Sequence, residues 1–205
     1  MPSRNREAIK QYLITCDKKL TPLVESLAFP TQKRNRDIYA VLLHSIVSQQ
    51  LSVKAADTIH ARFLQLFPDQ YPHPALLQKI SLPRLRAAGL SRQKAGYLKN
   101  IASFSQQYDL SYAVLTEQSD ADIIEHLTQI KGVGKWTVEM LLMFSLNRYD
   151  VFSVDDLGIQ NAMRRLYRID KDGKELRLKM QTIAERWRPY RTVVCKYLWR
   201  WRSST

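Results

Sequence analysis

One short run concentrates residues that could do chemistry: Ile130-Lys131-Gly132-Val133-Gly134-Lys135-Trp136-Thr137. Two glycines one residue apart, just ahead of an apolar helical stretch, allow positive φ and a close backbone approach. The helix that follows begins with N–H groups that have no intrahelical acceptor, and its N-terminus carries partial positive charge. Lys135 adds a full charge there, and Thr137 adds a hydroxyl donor. Such hardware suits a phosphate oxygen and grips a nucleic-acid backbone without reading bases. On the glycines alone, an ordinary turn between two helices explains the run equally well. Downstream, Asp155 and Asp156 stand at the start of another expected helix. Capping is the plain reading of that pair, because Asp is a favoured N-cap and first-turn acids suit the dipole. A carboxylate near a phosphate-gripping hairpin is otherwise a poor choice, since it repels DNA; the alternative reading is that it faces positive charge arising in a reaction.

The elements that must position these residues are helical. Apolar residues recur at helical spacing around 6–17, 36–48, 52–66, 135–146, 155–168, 174–186 and from about Pro189 onward. Ser52 and Ser91 are candidate caps, Pro74 and Pro83 look like first-turn prolines, and Gly89 closes a short helix. The segment with Pro22 and Pro30 reads as a loop. Period-two alternation is nowhere sustained, so the expected class is all-α. With 205 residues and 45% hydrophobic content, the chain can build one unit of two small lobes. Only 6 Gly and 8 Pro argue against long disordered stretches. The expected division of the single 1–205 unit is a central helical lobe, 36–132, and a terminal lobe of 1–35 with 133–205 that carries the Asp pair. Lys and Arg number 32 against 19 Asp and Glu, a formal charge of +13, which favours a polyanionic partner. The last helix, with Arg186, Arg188, Lys196, Arg200 and Arg202, is a candidate DNA-facing surface. Cys16 and Cys195 are too few for a disulfide framework or a four-thiolate site and fit a reducing compartment. No apolar run reaches a membrane span and the N-terminus lacks a secretory apolar segment. A soluble, intracellular monomer is expected: cytoplasm and nucleoid if bacterial, nucleus if eukaryotic.

Four stretches together resemble the helix-hairpin-helix DNA glycosylases, and among them the alkylation-repair 3-methyladenine DNA glycosylase II class. They are His44-Ser-Ile-Val-Ser-Gln-Gln-Leu-Ser52; Leu90-Ser-Arg-Gln-Lys-Ala-Gly-Tyr97, a Ser-x-x-Lys-x-x-Tyr helix start; the hairpin with the Asp-Asp helix; and Trp187-Arg-Pro-Tyr-Arg191 with Tyr197-Leu-Trp199. The resemblance implies a two-lobed helical fold with its active cleft between the lobes and a target nucleotide flipped out of the duplex. It implies a monofunctional enzyme of base excision repair that hydrolyses the N-glycosidic bond of alkylated purines such as 3-methyladenine and leaves an abasic site. Matching the Asp-Asp pair puts the catalytic role on Asp156, whose carboxylate would stabilise an oxocarbenium-like sugar. Trp136, Trp199 and Met140 fall at base-pocket positions, with Met140 where some members place a Tyr. Gly132, Gly134, Lys135 and Thr137 would grip DNA, Gln50 would wedge into the duplex, and Arg191 would contact phosphate or hold the catalytic loop.

The departures from related enzymes are as informative. Bifunctional members carry a Schiff-base lysine where this chain has Trp136, and an indole cannot form an imine. Iron–sulfur members carry four cysteines near the C-terminus, where this chain has only Cys195. No iron–sulfur cluster, no metal and no required cofactor are therefore expected; a monovalent cation on hairpin main-chain carbonyls, as in some members, is the one candidate. The expected partner is double-stranded DNA containing an alkylated base, with no membrane. A cationic alkylated purine leaves without prior protonation, which favours it over neutral lesions. The competing readings are a non-catalytic helix-hairpin-helix DNA-binding protein and a bifunctional glycosylase/lyase.

Overall fold

The computed structural model describes residues 5–31 and 35–203. Among them are thirteen α-helices, two short 3-10 turns and no strand, so the all-α expectation holds. The chain divides into two compact units, Arg34–Leu146 and a second built from both ends, Met1–Lys33 with Asn147–Thr205. The division expected after residue 132 thus falls after 146, and the whole hairpin belongs with the central segment. The reason is packing: the helix after the hairpin buries Val138, Leu141, Leu142 and Met143 against helices of that segment.

The central unit contains α3 (Ile38–Ser48), α4 (Val53–Leu64), α5 (Pro74–Lys79), α6 (Leu82–Ala87), α7 (Arg92–Gln107), α8 (Tyr112–Glu117), α9 (Asp120–Thr128) and α10 (Lys135–Phe144). Helix α3 is its axis, since Leu42, Leu43, Ile46 and Val47 are all buried and it packs against α4, α7 and α10. Ser52 caps α4 by accepting from Ala55 N at 3.4 Å, and Ser91 caps α7 by accepting from Lys94 N at 3.1 Å. Pro74 and Pro83 sit in the first turns of α5 and α6, where a missing N–H costs nothing.

The unit of the chain ends contains α1 (Arg6–Cys16), α2 (Thr21–Ser26), α11 (Leu157–Tyr167), α12 (Gly173–Ala184) and α13 (Arg191–Ser203). Helix α2 occupies the segment read as a Pro22 loop; its proline lies in the first turn, where it starts a helix instead of breaking one. Helix α13 packs on α11 and α2 around Val194, Tyr197 and Leu198. Asp17 ties the unit together from within. It is 5% exposed, and its carboxylate accepts from Tyr167 Oη at 2.8 Å, Trp187 Nε1 at 3.2 Å and Lys19 N at 3.1 Å. Burial, with Asp17 alongside, pushes the Tyr167 hydroxyl far above the ordinary phenol range.

Candidate active site and nucleic-acid interface

The hairpin uses its two glycines differently. Gly132 has φ +108°, and a Cβ there would lie 2.3 Å from Cγ of Tyr97. Glycine is therefore demanded twice, by the backbone conformation and by the Tyr97 ring. Gly134 has φ −92° and caps α10; a Cβ on it would meet nothing within 4 Å. The chain's own packing does not require glycine at 134. Gly134, as the N-cap of α10, brings no side chain to its N-terminus.

Lys135 extends from the first turn of α10 with its side chain 60% exposed, its ammonium 3.8 Å from Glu139. Thr137 differs from expectation. Placed one turn into α10, it is 5% exposed, and it lines a cavity instead of presenting its hydroxyl as an outward phosphate donor. That cavity, about 400 Å³, is also lined by Ser45, Gln49, Gln50, Trp136 and Met140. Its volume is within the range of small-molecule pockets. Trp136 is 44% exposed, unusual for so large an apolar ring. Gln50 is exposed in the turn between α3 and α4 and takes φ +57°, a left-handed conformation costing a non-glycine residue about 1–2 kcal/mol. A larger cavity of about 610 Å³, lined by Tyr167, Ile169, Leu178 and Thr182 among others, holds none of the expected site residues.

Three main-chain carbonyls of the hairpin meet donors. Ile130 O accepts from Val133 N at 2.9 Å, Lys131 O from Asn100 Nδ2 at 3.1 Å, and Gly132 O from Gln49 Nε2 at 3.5 Å. Among the described residues, no three His, Cys, Asp or Glu side chains group as a metal site would require.

In the unit of the chain ends, the two neighbouring acids are sharply different. Asp155 is half-exposed and pairs with Arg177 Nε at 2.6 Å, a surface contact worth at most about 1 kcal/mol. Asp156 is 9% exposed. Its Oδ1 caps α11 by accepting from Ile159 N at 2.8 Å and also accepts from Trp199 Nε1 at 2.8 Å. The side chain that caps α11 is thus also the one that Trp199 holds. Trp199, expected as a pocket wall, points its polar edge at Asp156.

Arg191 is committed inside the protein. Its guanidinium donates to Asp150 Oδ1 at 2.6 Å and to the Asp150 carbonyl at 2.7 Å, and pairs with Glu185 at 3.3 Å, with its side chain 15% exposed. The guanidinium is thus paired with Asp150 and Glu185, beside the segment that leads to Asp156. Thr192 continues the same seam, with its Oγ1 accepting from Val151 N at 3.0 Å and its N–H donating to Tyr149 O at 2.9 Å. Helix α13 therefore grips the segment leading to Asp156 with its first turn, and Asp156 itself through Trp199 further along. The candidate DNA-facing row, of which Arg186 and Arg188 lie ahead of α13, is thinned accordingly. Arg188 pairs with Asp150 and Glu185, and Arg200 donates to Ala28 O at 2.8 Å. The Arg202 side chain lies outside the described residues. Arg188 beside it holds the Glu185 carboxyl below the usual carboxylate range.

A profile of the HhH-GPD superfamily base excision DNA repair proteins matches residues 43–189, most of the chain. The chain belongs to that superfamily. The matched span takes in the cavity, the hairpin and Asp156, and ends before Trp199. DNA-3-methyladenine glycosylase 1 of Schizosaccharomyces pombe is 38% identical over 190 residues, covering 89% of this chain and 80% of that protein. A solved structure of the S. pombe 3-methyladenine DNA glycosylase in complex with abasic DNA superposes with a TM-score of 0.82 at 34% identity, covering 94% of this chain and 95% of that one. The crystal structure of a Bacillus halodurans DNA-3-methyladenine glycosidase superposes with a TM-score of 0.81 at 36% identity, covering 96% and 89%.

Proposed function

We propose that this protein is a monofunctional DNA glycosylase that removes alkylated purines such as 3-methyladenine from double-stranded DNA and leaves an abasic site. The observation that carries the reading is Asp156: a nearly buried carboxylate held by a backbone N–H and an indole N–H at 2.8 Å each, on a protein of charge +13. A buried acid on a basic protein is expensive unless its charge is used or paired.

The N-terminus of α10 with Lys135 takes a phosphate, and Gly134 leaves room for the oxygen to approach. The lesion base is drawn out of the stack, Gln50 fills part of the gap it leaves, and Trp136 and Met140 form walls for the base. A π-face favours a cationic alkylated ring by about 0.5–2 kcal/mol. The N-glycosidic bond then breaks with both electrons going to the base, which leaves neutral because the alkylated purine was cationic. Asp156 stabilises the positive sugar that forms, and water adds to the anomeric carbon and loses a proton. Trp199 and Ile159 hold the carboxylate, and Arg191, through Asp150, holds the segment that carries it. No lysine stands at position 136, so the strand is not cut.

The test is base release from methylated duplex DNA by the native protein and by Asp156→Asn, with strand integrity and borohydride trapping followed alongside. Free methylated purine from the native protein, lost in the variant while DNA binding persists, supports the reading. A borohydride-trapped adduct would replace it with a lyase. Binding without release by either protein would make this a DNA-binding module.

A further inference from the structure

The Ser-x-x-Lys-x-x-Tyr start of α7 contains a residue that the proposed function leaves unused. Lys94 lies in the first turn of α7, where a positive charge meets the positive end of a helix dipole and is unfavourable. Its stem crosses to another helix. The ammonium donates to Val47 O at 2.8 Å and to Gln49 O at 2.6 Å. Both carbonyls are at the C-terminal, negative end of α3, where the last carbonyls have no intrahelical partner. The next residue is Gln50, in its left-handed conformation.

Simple packing does not explain this arrangement. An apolar side chain would fill the same space, whereas two carbonyls converging on one point call for a multivalent donor, and an ammonium offers three N–H bonds. Burial pulls the Lys94 pKa below the ordinary lysine range, so holding a charge there costs desolvation that the two carbonyls must offset. The same helix face supports the hairpin: Tyr97 lies under Gly132, and Asn100 donates to Lys131 O. One face of α7 thus braces both the Gln50 turn and the hairpin.

We propose that Lys94 is a positioning residue for base extrusion: by tying down the carbonyls of Val47 and Gln49 it holds the strained turn that presents Gln50 to the duplex. This rests on the reading of Gln50 as the wedge. It assigns Lys94 no contact with substrate.

The experiment compares Lys94→Met, Gln50→Ala and the double variant under single-turnover conditions, on a methylated purine in a normal pair and opposite a mismatch. Beside the lesion, 2-aminopurine reports unstacking by its fluorescence. Extrusion from a mismatch needs less unpairing, so a turn defect should weigh less there. Lys94→Met is expected to slow release from the normal pair about tenfold and from the mismatch only about two- to threefold. The 2-aminopurine signal should fall, and the double variant should be no slower than the slower single one, because both changes disable one device. Equal losses on the two substrates, unaltered fluorescence, or additive losses in the double variant would overturn the proposal. If Gln50→Ala slows nothing while Lys94→Met does, the wedge reading fails and the proposal with it; if only Gln50→Ala slows release, the Lys94 assignment fails alone. A native protein that released no base would count against the glycosylase reading, with the fluorescence still deciding the Lys94 assignment. Should Lys94→Met not fold, Lys94→Gln, which keeps one donor, is measured in its place with the same ordering expected.

Discussion

The hairpin and the Asp156 corner solve the same problem, holding a charged group ready, by opposite means. The hairpin is built from residues close in sequence and shaped by exclusion: Gly132 must lack a Cβ because Tyr97 occupies its place. The Asp156 corner is shaped by attraction across long stretches of chain. Its carboxylate takes one donor from Ile159 nearby and another from Trp199, 43 positions on, while Arg191 and Thr192 reach back 41 positions to the segment before it. A hairpin set by sterics should fail abruptly when a single methyl is added. A corner set by several donors should lose function in steps.

The largest effect tests the corner. Asp156→Asn should lower single-turnover base release by about a hundredfold to a thousandfold or more, as loss of a preorganised electrostatic group does. DNA affinity, measured by fluorescence anisotropy, should remain. Next comes Gly132→Ala, which combines overpacking against Tyr97 with a strained backbone and should cost about 2–4 kcal/mol. Urea denaturation reads this directly, and pairing the change with Tyr97→Ala should recover part of it. Trp199→Phe keeps an aromatic ring, though a smaller one, and removes the N–H from Asp156; release should slow about tenfold, the value of one charge-assisted hydrogen bond, with little change in duplex affinity. A larger loss of binding than of rate would mean that the ring face, not the N–H, is what matters. The smallest effect should come from Gly134→Ala. Its Cβ meets no atom of the chain, so the unfolding midpoint should hold while DNA affinity weakens by a few-fold, below about 1 kcal/mol. Equal damage to stability from the two glycine changes would erase the contrast between them.

The local devices were legible in the sequence. Ser52 and Ser91 as caps, Pro74 and Pro83 as first-turn prolines, and the hairpin itself depend on residues within one or two turns of each other. The six-residue helices α2 and α8 leave no helical period in the sequence, because a segment of fewer than two turns has too little periodicity to read. Pro22 then looked like a loop signal although it begins a helix. The residue types at positions 132–137, 155 and 156 gave no hint that Thr137 is buried, or that of the two acids only Asp156 is withdrawn from solvent.

What the sequence alone determined is the helical class, the Gly-Val-Gly hairpin ahead of a helix, the Asp pair and the absence of a lysine at 136, since each is a matter of residue type and short spacing. Only the tertiary structure decided that Trp199 holds Asp156, that Arg191 is spent on Asp150 and Glu185, and that Lys94 bridges from α7 to the end of α3. Those are pairings between distant parts of the chain. A donor's type says that it needs an acceptor; which one it meets depends on how the helices pack.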